Sequence, residues 1–201
     1  PQHDFKERMV PTSSQLPEPV RHLIAAATPV LRIHGVGGVA WTRNVAKGSR
    51  IGPWRQGRFD VLDAAAWARG GACLYLVTAQ DGGLRYVGIS RNGLKHRWRT
   101  SPARSVADGT LLPEWQLFHS QCWKHVEAEF AADAGARFEV RCLDAATLVQ
   151  VLRSLDDPIR ALATLADDGE TVVMAVERWI CNRASASLAR WNVAMTARRP
   201  T

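Results

Sequence analysis

The sequence predicts an α/β (α+β) fold: a small core with a three-stranded, mainly antiparallel sheet flanked by helices, preceded by an N-terminal extension. Three observations carry this. Two apolar, β-prone runs, "ACLYLVTA" and "LRYVGIS", are joined by "QDGG", whose Asp-Gly and Gly-Gly steps supply the positive φ of a tight hairpin. A third run, "RFEVRCL" (137–143), sets Phe138, Val140 and Cys142 against Glu139 and Arg141 with the two-residue period of a half-buried strand. Around these runs the apolar spacing lengthens to that of helices.

The elements follow in order. Residues 1–18, with Pro11, Pro17 and a Thr-Ser-Ser run, read as a loosely ordered leader. Residues 17–27 form a short helix with proline at its start, and 29–35 a strand. The stretch 35–58 is rich in glycine and arginine, lacks acids, and reads as a loop or arm. The texture changes near residue 70, which divides the chain into an extension (1–70) and a core (71–201) with an insertion around 101–135. After the hairpin, Asn92 is placed to cap a helix carrying Leu94 and Trp98 on one face. The second half of 103–134 is helical in pattern. Asp144 caps a helix striped by Leu148, Leu152 and Leu155, and a final helix spans about 170–184.

The 201 residues are 46% hydrophobic and 22% charged, as in an ordinary globular protein. No run of eighteen apolar residues exists and the N-terminus lacks the apolar centre of a signal peptide, so a cytoplasmic protein with no membrane partner is expected. The four cysteines are widely spaced and read as reduced core residues. The net charge is +7, unevenly distributed. Residues 71–105 carry six Lys/Arg against one acid, whereas 106–180 carry six against thirteen. The basic stretches suit a polyanion.

Four groups of residues have chemistry to offer. Tyr75 and Tyr86, the only tyrosines, fall nearly opposite one another across the hairpin, either to hold a water or phosphate oxygen or to pack as an aromatic pair. Gly88 marks a close approach by a ligand or backbone, or a bulge. Arg97 lies in a basic helix with Arg91, Lys95, His96, Arg99 and Arg104 nearby; such a run is a solvated face or a phosphate contact. Glu177 borders the apolar stripe of the last helix, so it needs a partner: an arginine, or a hard divalent cation held by one carboxylate, waters and phosphate oxygens.

Taken in order, "CLY" (73–75), "YVG" (86–88), "NGLKHR" (92–97) and "ERWICNRASASLARWN" (177–192) resemble the GIY-YIG endonucleases over about residues 72–193. The resemblance implies active-site positions for Tyr75, Tyr86, Arg97, Glu177 and Asn192, and hydrolysis of DNA phosphodiesters with one Mg²⁺ or Mn²⁺ ion. Glu177 would hold the metal, Arg97 would stabilise phosphoryl charge, a tyrosine would position or deprotonate water, and Asn192 would orient groups. Deprotonation by a phenol requires a lowered pKa. Cys73 stands where the family name has glycine, and Ser101 where the family often has His or Tyr. The substitute bases to consider are His119, His125 and His96.

"HSQCWKH" gathers His119, Cys122 and His125 at helical steps, but no second ligand pair accompanies them, so zinc is disfavoured. "HGVGGVA" lacks the Lys-Ser/Thr ending of a phosphate loop. Residues 41–58 interleave Arg43, Lys47, Arg50, Arg55 and Arg58 with two tryptophans, as a DNA-contacting arm or as a surface loop with partly buried tryptophans. The expected function is a metal-dependent DNA endonuclease of restriction type, with a homodimer suggested by the need to cut two strands. A non-catalytic DNA- or RNA-binding module is the alternative, as are a nuclease toxin and an RNase with the same core.

Overall fold

A computed structural model describes residues 16–39, 42–45, 48–51, 54–99, 101–110, 120–165, 168–184 and 191–192. The chain runs through α1 (Glu18–Ala26), β1 (Thr28–Val39), β2 (Thr42–Val45), β3 (Gly48–Ile51), β4 (Trp54–Val61), α2 (Ala64–Ala68), β5 (Cys73–Ala79) and β6 (Leu84–Ser90). It continues with α3 (Leu94–Trp98), β7 (Arg104–Ser105), α4 (Trp123–Ala132), β8 (Phe138–Asp144), α5 (Ala145–Arg153), a 3-10 helix (Ile159–Leu165) and α6 (Gly169–Arg183).

The three strands expected from the sequence are β5, β6 and β8, and they lie side by side in the expected antiparallel sense. Among the described residues the sheet has six strands, however, not three: its order is β6-β5-β8-β1-β4-β7. The strand expected at 29–35 is β1 and joins this sheet, β7 comes from the inserted region, and β4 comes from the glycine- and arginine-rich stretch expected to be a loop. There β1 runs on to Val39 and pairs with β4 from Gly38↔Arg55 back to Leu31↔Val61. Glycine weakens a strand, but here the missing side chain is used. Arg58 crosses β1 where a Cβ at Gly37 would stand 2.1 Å from its Nε. Strands β2 and β3 pair with each other in a separate two-stranded sheet.

Alternation along β5 separates two interiors. Leu74 and Leu76 face an aliphatic layer with Val20 and Leu23 of α1, Leu148 and Leu152 of α5, and Val172, Val176 and Ile180 of α6. Cys73, Tyr75 and Val77 face an aromatic layer with Trp98 of α3, Trp123 and Phe130 of α4, and Trp191. Each fully buried large aliphatic side chain contributes about 1.5–3 kcal/mol. Caps define the helices as local chemistry requires: Asp144 accepts from the Thr147 amide at 2.8 Å, and Asp168 from the Glu170 amide at 3.0 Å. Asn92 does not cap α3. That place belongs to Gly93, at φ +84°, whose amide donates to the Gly71 carbonyl at 2.7 Å. A side chain at Gly93 would collide with the Arg69 carbonyl, 2.2 Å from an ideal Cβ. Among the described residues no helix is long and apolar enough to cross a membrane.

Candidate active site

The site is assembled along β6, the terminal strand of the sheet among the described residues. Tyr75 pairs with Gly88, and Val77 with Tyr86, so the tyrosines are diagonal neighbours rather than directly opposite. Their rings stack at 6.1 Å with 21° between planes. Gly88 is the reason they fit: a Cβ there would lie 2.5 Å from the Tyr75 hydroxyl oxygen and 2.8 Å from a Tyr86 ring carbon. The close approach expected at this glycine is thus made by the two phenol rings. Trp98 meets Tyr75 edge-on at 5.7 Å and fixes the other side of the ring.

The Tyr75 hydroxyl, buried, shares a hydrogen bond with Ser120 Oγ at 3.0 Å, and Ser120 Oγ donates to Cys122 Sγ at 3.3 Å. Burial holds the Tyr75 phenol well above its ordinary pKa; Tyr86 and Cys122 add to this, while the Ser120 hydrogen bond and Arg97 oppose it. Tyr86 is raised as well, first by burial, then by Cys122 and the charge of Glu177. The lowered phenol pKa that deprotonation of water demands is therefore not present in the ligand-free site. At neutral pH both tyrosines are hydroxyl donors.

Arg97 projects from α3, half-buried, and its backbone carbonyl accepts from the Ser120 amide at 2.9 Å, tying this helix to the segment that supports Tyr75. Its charge acts on Tyr75, Tyr86 and Glu177 together. Glu177 arrives from α6, which packs on the opposite, aliphatic layer. Burial raises its carboxyl from 4.5 to about 7, against the pull of Arg178 and Arg97. Among the described residues, neither Arg97 nor Glu177 closes an ion pair or hydrogen bond through its side chain. A cation and an anion thus share one polar neighbourhood with two phenols and remain available to a third party.

Asn192 sits one strand-edge away. Its Nδ2 donates to the Val87 carbonyl at 2.8 Å and its Oδ1 accepts from the Val87 amide at 3.1 Å. Buried, it fixes the strand between Tyr86 and Gly88, which makes it a positioning residue. Ser101 docks α3's exit on β4, its Oγ accepting from the Gly57 amide at 2.9 Å. His96 is exposed on α3. His125 stacks on Trp191 at 5.6 Å, with its pKa lowered chiefly by burial. His119 and Lys47 lie outside the described residues.

The remaining basic residues divide. Lys95 and Arg99 are exposed on α3 beside Arg97, and Arg55 is exposed on β4. Arg91 pairs with Glu170, and Arg104 with Glu127 at 2.6 Å, so both already have acidic partners. Arg58 donates to the Gly38 carbonyl at 3.4 Å. Arg43 and Arg50 are directly paired positions of β2 and β3. Among the described residues no group of three or more His, Cys, Asp or Glu is placed to hold a metal.

Ser120 is the polar neighbour that sequence reasoning did not select, although it adjoins His119. The only available signal was that a buried phenol needs a hydrogen-bond partner, and 45 residues separate the two. Compared with family models, curated proteins and solved structures, the chain matches none, so its site is read from its own residues.

Proposed function

We propose that the protein is a divalent-metal-dependent DNA endonuclease with a GIY-YIG-like site, of restriction type. One observation carries the reading: Tyr75, Tyr86, Arg97 and Glu177, drawn from β5, β6, α3 and α6, share one neighbourhood in which the arginine and the carboxylate are half-buried and unspent on each other.

The donor set fits Mg²⁺ or Mn²⁺ held in the spare manner of phosphate enzymes, by one carboxylate with water and substrate phosphate oxygens completing the shell. Glu177 is that carboxylate, and a cation relieves the cost of keeping its charge half-buried. When bound, the ion supplies charge neutralisation for the departing 3′-oxygen. Arg97 directs its guanidinium fork at the non-bridging oxygens of the scissile phosphate, whose negative charge builds in the transition state. Tyr86 donates its hydroxyl hydrogen bond to the phosphate or the attacking water, while Tyr75, its hydroxyl engaged with Ser120 and its ring held by Trp98, keeps the Tyr86 ring in position. Lys95 and Arg99 extend the positive surface of α3 along the DNA backbone.

The test is cleavage of supercoiled plasmid with and without Mg²⁺, using the unaltered protein and Glu177→Ala. Ion-dependent cutting by the former, with DNA binding but no cutting by the latter, is the expected result. If both bind equally and neither cuts DNA or RNA, the basic surface belongs to a binding module instead.

A further inference from the structure

A second concave surface lies on the opposite face of the sheet from the tyrosines. It is a groove of about 660 Å³ bounded by α1, β1, the β5–β6 turn and the start of β8. Four arginines line it, Arg21, Arg32, Arg137 and Arg141, against one acid, Glu139. Two of them are fixed by that acid: Glu139 accepts from Arg32 at 3.1 Å and from Arg141 at 3.2 Å. Arg141 also donates to the Ile24 and Ala27 carbonyls at 3.3 Å, and Arg137 uses one nitrogen on the carbonyl of Ala136 at 2.7 Å. Arg21, on the exposed side of α1, has no acidic partner among the described residues.

Four guanidinium groups and one carboxylate leave an excess of three positive charges around a hollow whose other wall is apolar, formed by Leu16, Ile24 and Ala25. This is a different chemistry from that of the nuclease site. It lacks an uncommitted carboxylate, so nothing recommends it for a divalent cation. Guanidinium forks match phosphate oxygens two at a time, and those anchored beforehand lose little freedom on binding. An apolar wall beside them rewards an organic body attached to the phosphate, and the volume lies in the usual range for small-molecule sites.

We propose that this groove binds a nucleoside phosphate, with its phosphates on Arg21, Arg32 and Arg137 and its nucleoside against Leu16, Ile24 and Ala25. The site is independent of the nuclease reading, since the sheet separates the two.

Calorimetric titration of the full chain at physiological salt tests it, with the four common nucleoside triphosphates, inorganic tripolyphosphate and a duplex oligonucleotide as probes. At least one nucleotide is expected to saturate a single site more tightly than tripolyphosphate. The double change Arg21→Ala with Arg137→Ala weakens that binding about tenfold or more, and Arg153→Ala, an exposed charge loss on α5, leaves it unchanged. Arg21→Ala alone serves if the double variant melts early. The proposal fails if no nucleotide saturates, if tripolyphosphate binds as tightly as every nucleotide, or if Arg153→Ala weakens binding equally. It also fails if the duplex displaces the nucleotide and loses affinity in the same variants, which assigns the groove to nucleic acid.

Discussion

The two faces of the central sheet are made of different chemistry. One is almost purely aliphatic, leucine and valine from the sheet meeting leucine, valine and isoleucine from three helices. The other is aromatic and admits polar atoms to its interior: the Tyr75 hydroxyl, Ser120, Cys122, and the indole nitrogens of Trp98 and Trp123, which are buried without hydrogen-bond partners among the described residues. Unpaired buried donors cost about 1–3 kcal/mol each, and the second face tolerates two of them on its tryptophans. The comparison suggests a division of labour. The aliphatic face secures the fold, and the aromatic face holds two phenols rigid at the sheet's edge, where α6 brings a carboxylate round from the other side.

The sharpest way to break this comparison is to disable each face in turn. On the proposed nuclease reading, Arg97→Ala should lower Mg²⁺-dependent DNA cleavage at least about 100-fold while changing the urea midpoint little, because the guanidinium would then serve to stabilise charge rather than to pack. Turnover assays and chemical denaturation on the same preparation read both effects. Leu76→Ala should do the reverse, destabilising the protein by about 2–5 kcal/mol in denaturant titrations, since Leu76 is fully buried in the aliphatic layer. Should Leu76→Ala prove harmless to stability, the division of labour is wrong.

Glu177 offers a pH-dependent test between these extremes. Its folded pKa of about 7 exceeds the ordinary 4.5, so between those values the native chain binds more protons than the unfolded one. Stability contributed by this group is therefore complete below about pH 4.5 and is lost as the pH rises through 7. Without divalent cation, Glu177→Gln should exceed the unaltered protein in stability above pH 7, by about 3 kcal/mol at most, with the advantage fading towards acid. Thermal melts from pH 4 to 8 reveal this, and Mg²⁺ should narrow the gap at the alkaline end. The smallest effect is expected for Trp98→Phe. It removes an indole nitrogen that has no partner among the described residues but leaves a void, and the two should cancel to within about 1 kcal/mol in a melt.

Local signals in the sequence reached the hairpin, the third strand and the helix capped by Asp144, whereas the choice of Tyr75, Tyr86, Arg97 and Glu177 as a set rests on the family resemblance. Those local features are written in short patterns: alternation along 137–143, Asp-Gly in the turn, Asp144 before a helix. What escaped depends on partners far away in the chain. β4 looks like a loop because its pattern of Trp54, Gly57 and Phe59 makes sense only once β1 pairs beside it and Trp123 fills the space over Gly57. The tyrosines, nearly opposite by sequence, share one face as diagonal neighbours because an irregularity between Val77 and Thr78, invisible in the residues, shifts the ladder by one position. The supporting hydroxyl of Ser120 arrives from a loop 45 positions away.

The amide of Asn192 presents to Val87 the same donor and acceptor that a peptide group of a seventh strand would present. A single side chain therefore stands in for a neighbouring strand where the sheet would otherwise offer a bare, adhesive border. Asn192→Ala removes this stopper while leaving Trp191 in the aromatic layer. The strand that carries Tyr86 then becomes a template for another molecule's backbone, so self-association is the damage such a change would bring.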